Sequence, residues 1–136
     1  MERRDYLIHQ IQEMGAFLAR LILRLKKEHQ PAAQLKSVRV ELEQELGQRL
    51  DDILFLEDQA FVAVLEEKLL SDDNMVQFAS LLEQLGDVAL DGETFFRQQI
   101  YYRKALVLLD FVEQKSQNYS MDRQQKMVDL RTKLNG

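Results

Sequence analysis

The chain contains no cysteine. Disulfides, thiolate metal sites and cysteine nucleophiles are therefore excluded, and the composition fits a reducing compartment. Helix breakers are almost as scarce: one proline, Pro31, and five glycines, Gly15, Gly47, Gly86, Gly92 and Gly136. No stretch alternates β-branched and polar residues with period two, so no sheet is expected. No run approaches the ~20 consecutive apolar residues of a spanning helix. Arg3 and Arg4 precede an apolar segment, 14–25. However, Glu2, Asp5 and Glu13 lie before it, Arg20 and Arg24 interrupt it, and no small-residue cleavage site follows. A signal peptide does not read this way, and a cytoplasmic location is expected.

What remains is good helix-forming material. Leu, Glu, Gln, Arg and Lys dominate 136 residues that are 46% apolar and 30% charged. Such a chain is globular, and at this length it forms one domain, 1–136, with one core. The net charge of −5 is unevenly placed. Residues 1–40 carry a net +4, residues 41–96 a net −13, and residues 97–136 a net +4. Basic end helices packed beside an acidic middle explain this pattern without an external anion.

The first helix is predicted from Arg4 to Glu28. Leu7, Ile11, Met14, Leu18, Leu21 and Leu25 recur at spacings of four and three, a heptad seam. Ile8, Gly15 and Ile22 widen it, and Phe17 and Leu23 outside it point to a second contact. His29, Gln30 and Pro31 break the helix, with Pro31 suited to open the next. A second helix follows from Ala32 to Leu46, with Gly47 as its stop. Residues 50–56 read as a short helical connector. A third helix spans Glu57 to Leu70, and Ser71 to Asn74 form a loop and N-cap. The fourth runs from Asp73 to Leu90, with a turn at Asp91, Gly92 and Glu93. The fifth, Glu93 to Gln117, is apolar nearly all round between Ile100 and Val112, so it is buried centrally or by a partner chain. The sixth opens at Ser120 or Met121, with Ser120 a good N-cap, and ends near Leu134. The expected fold is an all-α irregular bundle of five to six helices, closed by a C-terminal hairpin and a capping helix.

Residues 79–112 resemble one degenerate tetratricopeptide repeat. Leu82, Leu85, Gly86, Ala89, Tyr102 and Ala105 take the pattern's positions, and Tyr101 to Leu106 looks like the unit's second helix. Gln98 stands where the family usually has Ala, no proline follows near Asp110, and no second copy is recognisable. The resemblance implies a helical hairpin, close helix approach at Gly86, and protein–protein contact. The opening Arg3 to Ile8, with Ile11 and Gly15, is also similar to an uncharacterised family of small bacterial helical proteins. That resemblance implies a bacterial cytoplasmic origin and no known activity.

No convergent chemistry is legible. His9 and His29 stand twenty residues apart, outside any metal-binding frame. Asp87, Asp91 and Glu93 lack the alternate spacing of a calcium loop. The serines Ser37, Ser71, Ser80, Ser116 and Ser120 sit in no nucleophile elbow. Asp51/Asp52, Glu66/Glu67 and Asp72/Asp73 are sequence neighbours, which diverge by about 100° on a helix. Arg20, Arg24, Lys26, Lys27, Arg97, Arg103 and Lys104, with Tyr101 and Tyr102, are the groups a nucleic acid would use. A pI near 5.1 argues against that partner. No catalytic residue, metal site or cofactor is therefore expected, and the chain is not expected to be an enzyme. The expected function is protein–protein interaction or scaffolding with an unidentified protein partner, as a homodimer through the first or fifth helix. Leu7, Ile11, Met14, Phe17, Leu18, Leu21, Leu25, Tyr101 and Leu108 are the candidate interface. The alternative is peripheral membrane or anionic-ligand binding through the basic N- and C-terminal helices, with a membrane the less favoured partner.

Overall fold

The computed structural model describes residues 2–27, 31–92 and 94–135, and every regular element among them is helical. There are seven helices: α1 Glu2–Lys27, α2 Pro31–Leu46, α3 Leu50–Leu54, α4 Asp58–Leu69, α5 Asp72–Gly92, α6 Phe95–Lys115 and α7 Met121–Asn135. The expected five to six become seven because the connector at 50–56 closes a genuine turn of helix, α3. Leu50, Ile53 and Leu54 anchor it in the core, and the Glu43 carboxylate accepts the Leu50 N–H at 2.7 Å. Two residues expected in a turn, Asp91 and Gly92, continue α5. Glu93 of that turn, and His29 and Gln30 of the first break, lie outside the described residues.

The helix ends follow from local chemistry. Ser71 Oγ accepts the Asn74 N–H at 3.1 Å, and Ser120 Oγ accepts the Arg123 N–H at 3.1 Å. Each satisfies one of the N–H groups a helix start leaves over. Thr94 does the same for α6, a cap the sequence did not single out. At the end of α2, Gly47 adopts φ +73°, and Lys68 Nζ donates to the Leu46 carbonyl at 2.7 Å. A side chain at Gly47 would meet nothing within 4 Å. Gly47→Ala therefore isolates the backbone penalty of the left-handed conformation, and is expected to lower stability by about 1 kcal/mol in urea denaturation. No loss would mean that this helix end is not held in the left-handed conformation.

α5 and α6 form the centre. They run antiparallel, as Gln98 Nε2 donating to the Gly86 carbonyl near one end and Lys115 Nζ donating to Asp72 near the other show. α1, α2 and α4 pack on α5, while α3, α4 and α7 pack on α6. This arrangement explains the all-round apolar stretch of α6. Ile100, Tyr101, Tyr102, Ala105, Leu108, Leu109 and Val112 are all buried within the chain. α7 buries Met127 and Leu130, packs Leu134 at the core's edge, and is held further by polar bonds. Lys133 reaches Glu83 and Asp87, Lys126 reaches Ser80, and Arg123 reaches Glu113.

α1 does not end where the bundle does. From Arg3 to His9 every side chain is exposed, whereas Met14, Phe17, Leu18, Leu21 and Leu25 are buried. The boundary is set from α5. Asn74, itself buried, donates its side-chain amide to the carbonyls of Ile11 (3.0 Å) and Leu69 (2.8 Å). A Cβ at Gly15 would come within 2.9 Å of Asn74 Oδ1, so glycine there lets the start of α5 press against α1. N-terminal to that contact, α1 extends past the body of the domain.

Candidate interaction surface

Most of the sequence-predicted interface lies inside the domain. Leu18, Leu21, Leu25, Tyr101 and Leu108 are buried in the chain's own core, with Met14 and Phe17 at its edge. Periodicity marks which residues need a partner but not which partner supplies it. Here α2, α5, α6 and α7 do so. Ile11 is half-buried, and Leu7 remains 45% exposed.

The basic groups considered for anionic ligands are also largely engaged. Arg24 of α1 bonds Glu41, Gln34 and Ser37 of α2, and its hydrogen bond to Glu41 holds that carboxyl below the usual range. Arg20 lies over the Phe17 ring at 5.7 Å. Tyr101 and Tyr102 are buried and offer no face to a base. The Tyr102 hydroxyl donates to Asp87 at 2.7 Å, and burial followed by that carboxylate pushes its pKa up. His9 pairs with Glu13 on the exposed side of α1. Among the described residues no group of acidic and histidine side chains could hold a metal ion. No described helix is long and apolar enough to cross a membrane.

The surface feature that stands out is aromatic. Phe55, just past α3, and Phe96, in the first turn of α6, stack with centroids 6.5 Å apart and planes inclined by 15°. They are 55% and 63% exposed, and Phe95 beside them is equally open. Three large rings in water run against the usual disposition of phenylalanine, and aromatic rings dominate interface energetics. They fall outside the sequence's periodic stripes because Phe55 lies just past a one-turn helix and Phe95 and Phe96 precede the apolar stretch of α6.

The rings sit on a braced platform. Asp51 of α3 accepts two hydrogen bonds from the Arg97 guanidinium of α6, the second at 2.8 Å, and Arg39 of α2 approaches at 3.4 Å. The Arg97 hydrogen bonds hold the Asp51 carboxyl below its ordinary range, so it stays ionised near neutrality. Lys104 braces the other side. Its side chain is only 8% exposed; Nζ donates to the Leu56 carbonyl at 2.6 Å and to Asp58 at 2.9 Å, and lies 4.9 Å above the Phe61 ring. A buried ammonium is tolerated because acceptors surround it. Together these bonds fix the α3–α4 turn, and with it Phe55, against α6. Rings held this way lose little conformational freedom on docking.

A concavity of about 360 Å³ lies between α4 and α6. Val62, Val107 and Phe111 form its apolar lining, with Asp58, Glu66 and Asp110 around them. Lys104 pairs with Asp58, and Lys115 is shared between Glu66 and Asp72. No family model, curated protein or solved structure matches the chain.

Proposed function

We propose that this chain is a non-enzymatic protein–protein interaction module of the bacterial cytoplasm, which presents Phe55, Phe95 and Phe96 to a protein partner. The supporting observation is the stacked, water-exposed Phe55–Phe96 pair on a platform tied together from α2, α3 and α6. The rings supply the apolar anchoring area for that partner. The α5–α6 hairpin is read as a single degenerate tetratricopeptide unit, and contact with another protein is the usual work of such units. Binding to an anionic ligand is the weaker reading, since Arg24 is engaged by Glu41 and Arg97 by Asp51.

Phe96→Asp tests this directly. The side chain is mostly in water, so helicity and thermal midpoint are expected to stay near wild type. Proteins captured from native lysate by the tagged chain are expected to bind at least ~10-fold more weakly to the variant, as when a hot-spot ring is lost. Equal capture by both chains would overturn the assignment.

A further inference from the structure

Two shallow clefts lie end to end along α1 and share Gln10. One is lined by Arg3, Arg4, Tyr6, Leu7 and Gln10. The other, about 260 Å³, is lined by Gln10, Glu13, Met14, Glu45, Lys68 and Leu70. Residues 3, 6, 7, 10, 13 and 14 recur at spacings of three and four, which aligns them along one side of the helix. Asp5 falls on the opposite side by the same count. The strip is therefore ordered. Guanidinium groups stand at the tip, apolar Tyr6 and Leu7 follow, and the carboxylates Glu13 and Glu45 lie at the base. Lys68, the cation lining the basal cleft, donates to the Leu46 carbonyl. His9 pairs with Glu13 from the exposed side.

An order of basic, apolar, acidic along one face is complementary to its own reverse. We infer that two copies of this chain pair through α1, antiparallel, about a two-fold axis between residues 8 and 9. In that register Leu7 faces Gln10 of the second copy, and Arg3 faces Met14 with Glu13 one position beside it, each contact occurring twice, as an isologous interface requires. Arg3 and Glu13 are ten residues apart, about 15 Å along the axis, so each tip reaches the other copy's base. Three further observations agree. Tyr6 and Leu7 are exposed on a helical segment that gains little cover from its own domain. A segment of two turns has little helical stability of its own, and a second helix alongside would supply it. Leu70, in the basal cleft, is the one described non-glycine residue with positive φ, +73°, and its side chain adds apolar surface at the cleft. The strip is short, so the dimer is a weak one, forming in the micromolar range or above. It uses a different face from the phenylalanine cluster and does not depend on that assignment.

The test is charge exchange in the full-length chain. All four residues to be changed, Arg3, Arg4, Glu13 and Glu45, are exposed, so the fold is expected to persist. Sedimentation equilibrium of the wild type should show the mass rising from one chain to two between micromolar and millimolar concentration, and less steeply in high salt. R3E/R4E and E13K/E45K should each remain one chain, because tip and base then carry the same sign. Their equimolar mixture should recover the two-chain mass, since each tip again meets an opposite base. Leu7→Glu should remain one chain in every mixture. A wild type that stays one chain at millimolar concentration overturns the inference, and its co-sedimentation with vesicles containing anionic lipid would assign the strip to a membrane surface instead. Charge-reversed variants that still dimerise alone, or a mixture that does not, would overturn it equally.

Discussion

Replacing Leu18 by glutamate is expected to unfold the chain, while replacing Leu7 by glutamate leaves its stability within about 0.5 kcal/mol of wild type. Both leucines lie on the same heptad seam, eleven residues apart. Leu18 is fully buried in the core. Removing its side chain from a packed site costs about 2–5 kcal/mol, and a carboxylate left there without a partner adds several more. Domains of this size have only about 5–15 kcal/mol to lose. Leu7 stands in water, so a charge there disturbs no packing. Circular dichroism during urea titration separates the two. A Leu18→Glu chain that stayed folded would mean that the seam faces a partner along its whole length, as the sequence alone allows.

Gly86→Val is expected to lower stability by about 3 kcal/mol, against the direction that helix propensity would suggest. In an open helix, replacing glycine by alanine gains about 1 kcal/mol. At Gly86 a Cβ would lie 2.6 Å from Tyr102 Cε1 and 2.9 Å from Cδ1. The ring has little room to yield. Its hydroxyl is bonded to Asp87, Lys133 Nζ lies 5.5 Å from its centroid, and Gln98 holds the Gly86 carbonyl at 2.8 Å. Overpacking of this kind costs about 1–3 kcal/mol for the first carbon, and the γ-methyls of valine add to it. The urea midpoint should fall with an unchanged slope. If Gly86→Ala stabilised the chain by the full propensity gain, α5 and α6 would not be as close as described.

The same glycine shows what could be read in advance. Close approach at Gly86 was expected from its place in a repeat-like pattern, and Gln98, the departure from that pattern, turns out to bond the same residue's carbonyl. Ser71 and Ser120 were legible as caps because their chemistry is local, as was Gly47. Thr94 was missed because the turn was placed at Asp91–Glu93, and with it the start of the next helix. The limit of α1's core face was not legible at all. Its apolar spacing is uniform from Leu7 to Leu25, and the boundary near Ile11 is drawn by Asn74, sixty-three residues away in sequence. Periodicity records a need for burial, and it is the same whether α5 or a second chain meets it. The phenylalanine surface was hidden for the opposite reason. A five-residue helix has too few turns to show a period, and Phe55 meets Phe96 only because Asp51 and Arg97 bring α3 onto α6.

The division of α1 into a covered part and an uncovered part underlies both the Leu18/Leu7 contrast and the pairing of copies. Amide hydrogen exchange along α1, measured in dilute solution and again near millimolar concentration, tests it most directly. Slow exchange beyond Met14 at both concentrations is predicted, with fast exchange over residues 3–9 in dilute solution that slows as the chain is concentrated. Equal and slow exchange along the whole helix in dilute solution would contradict it.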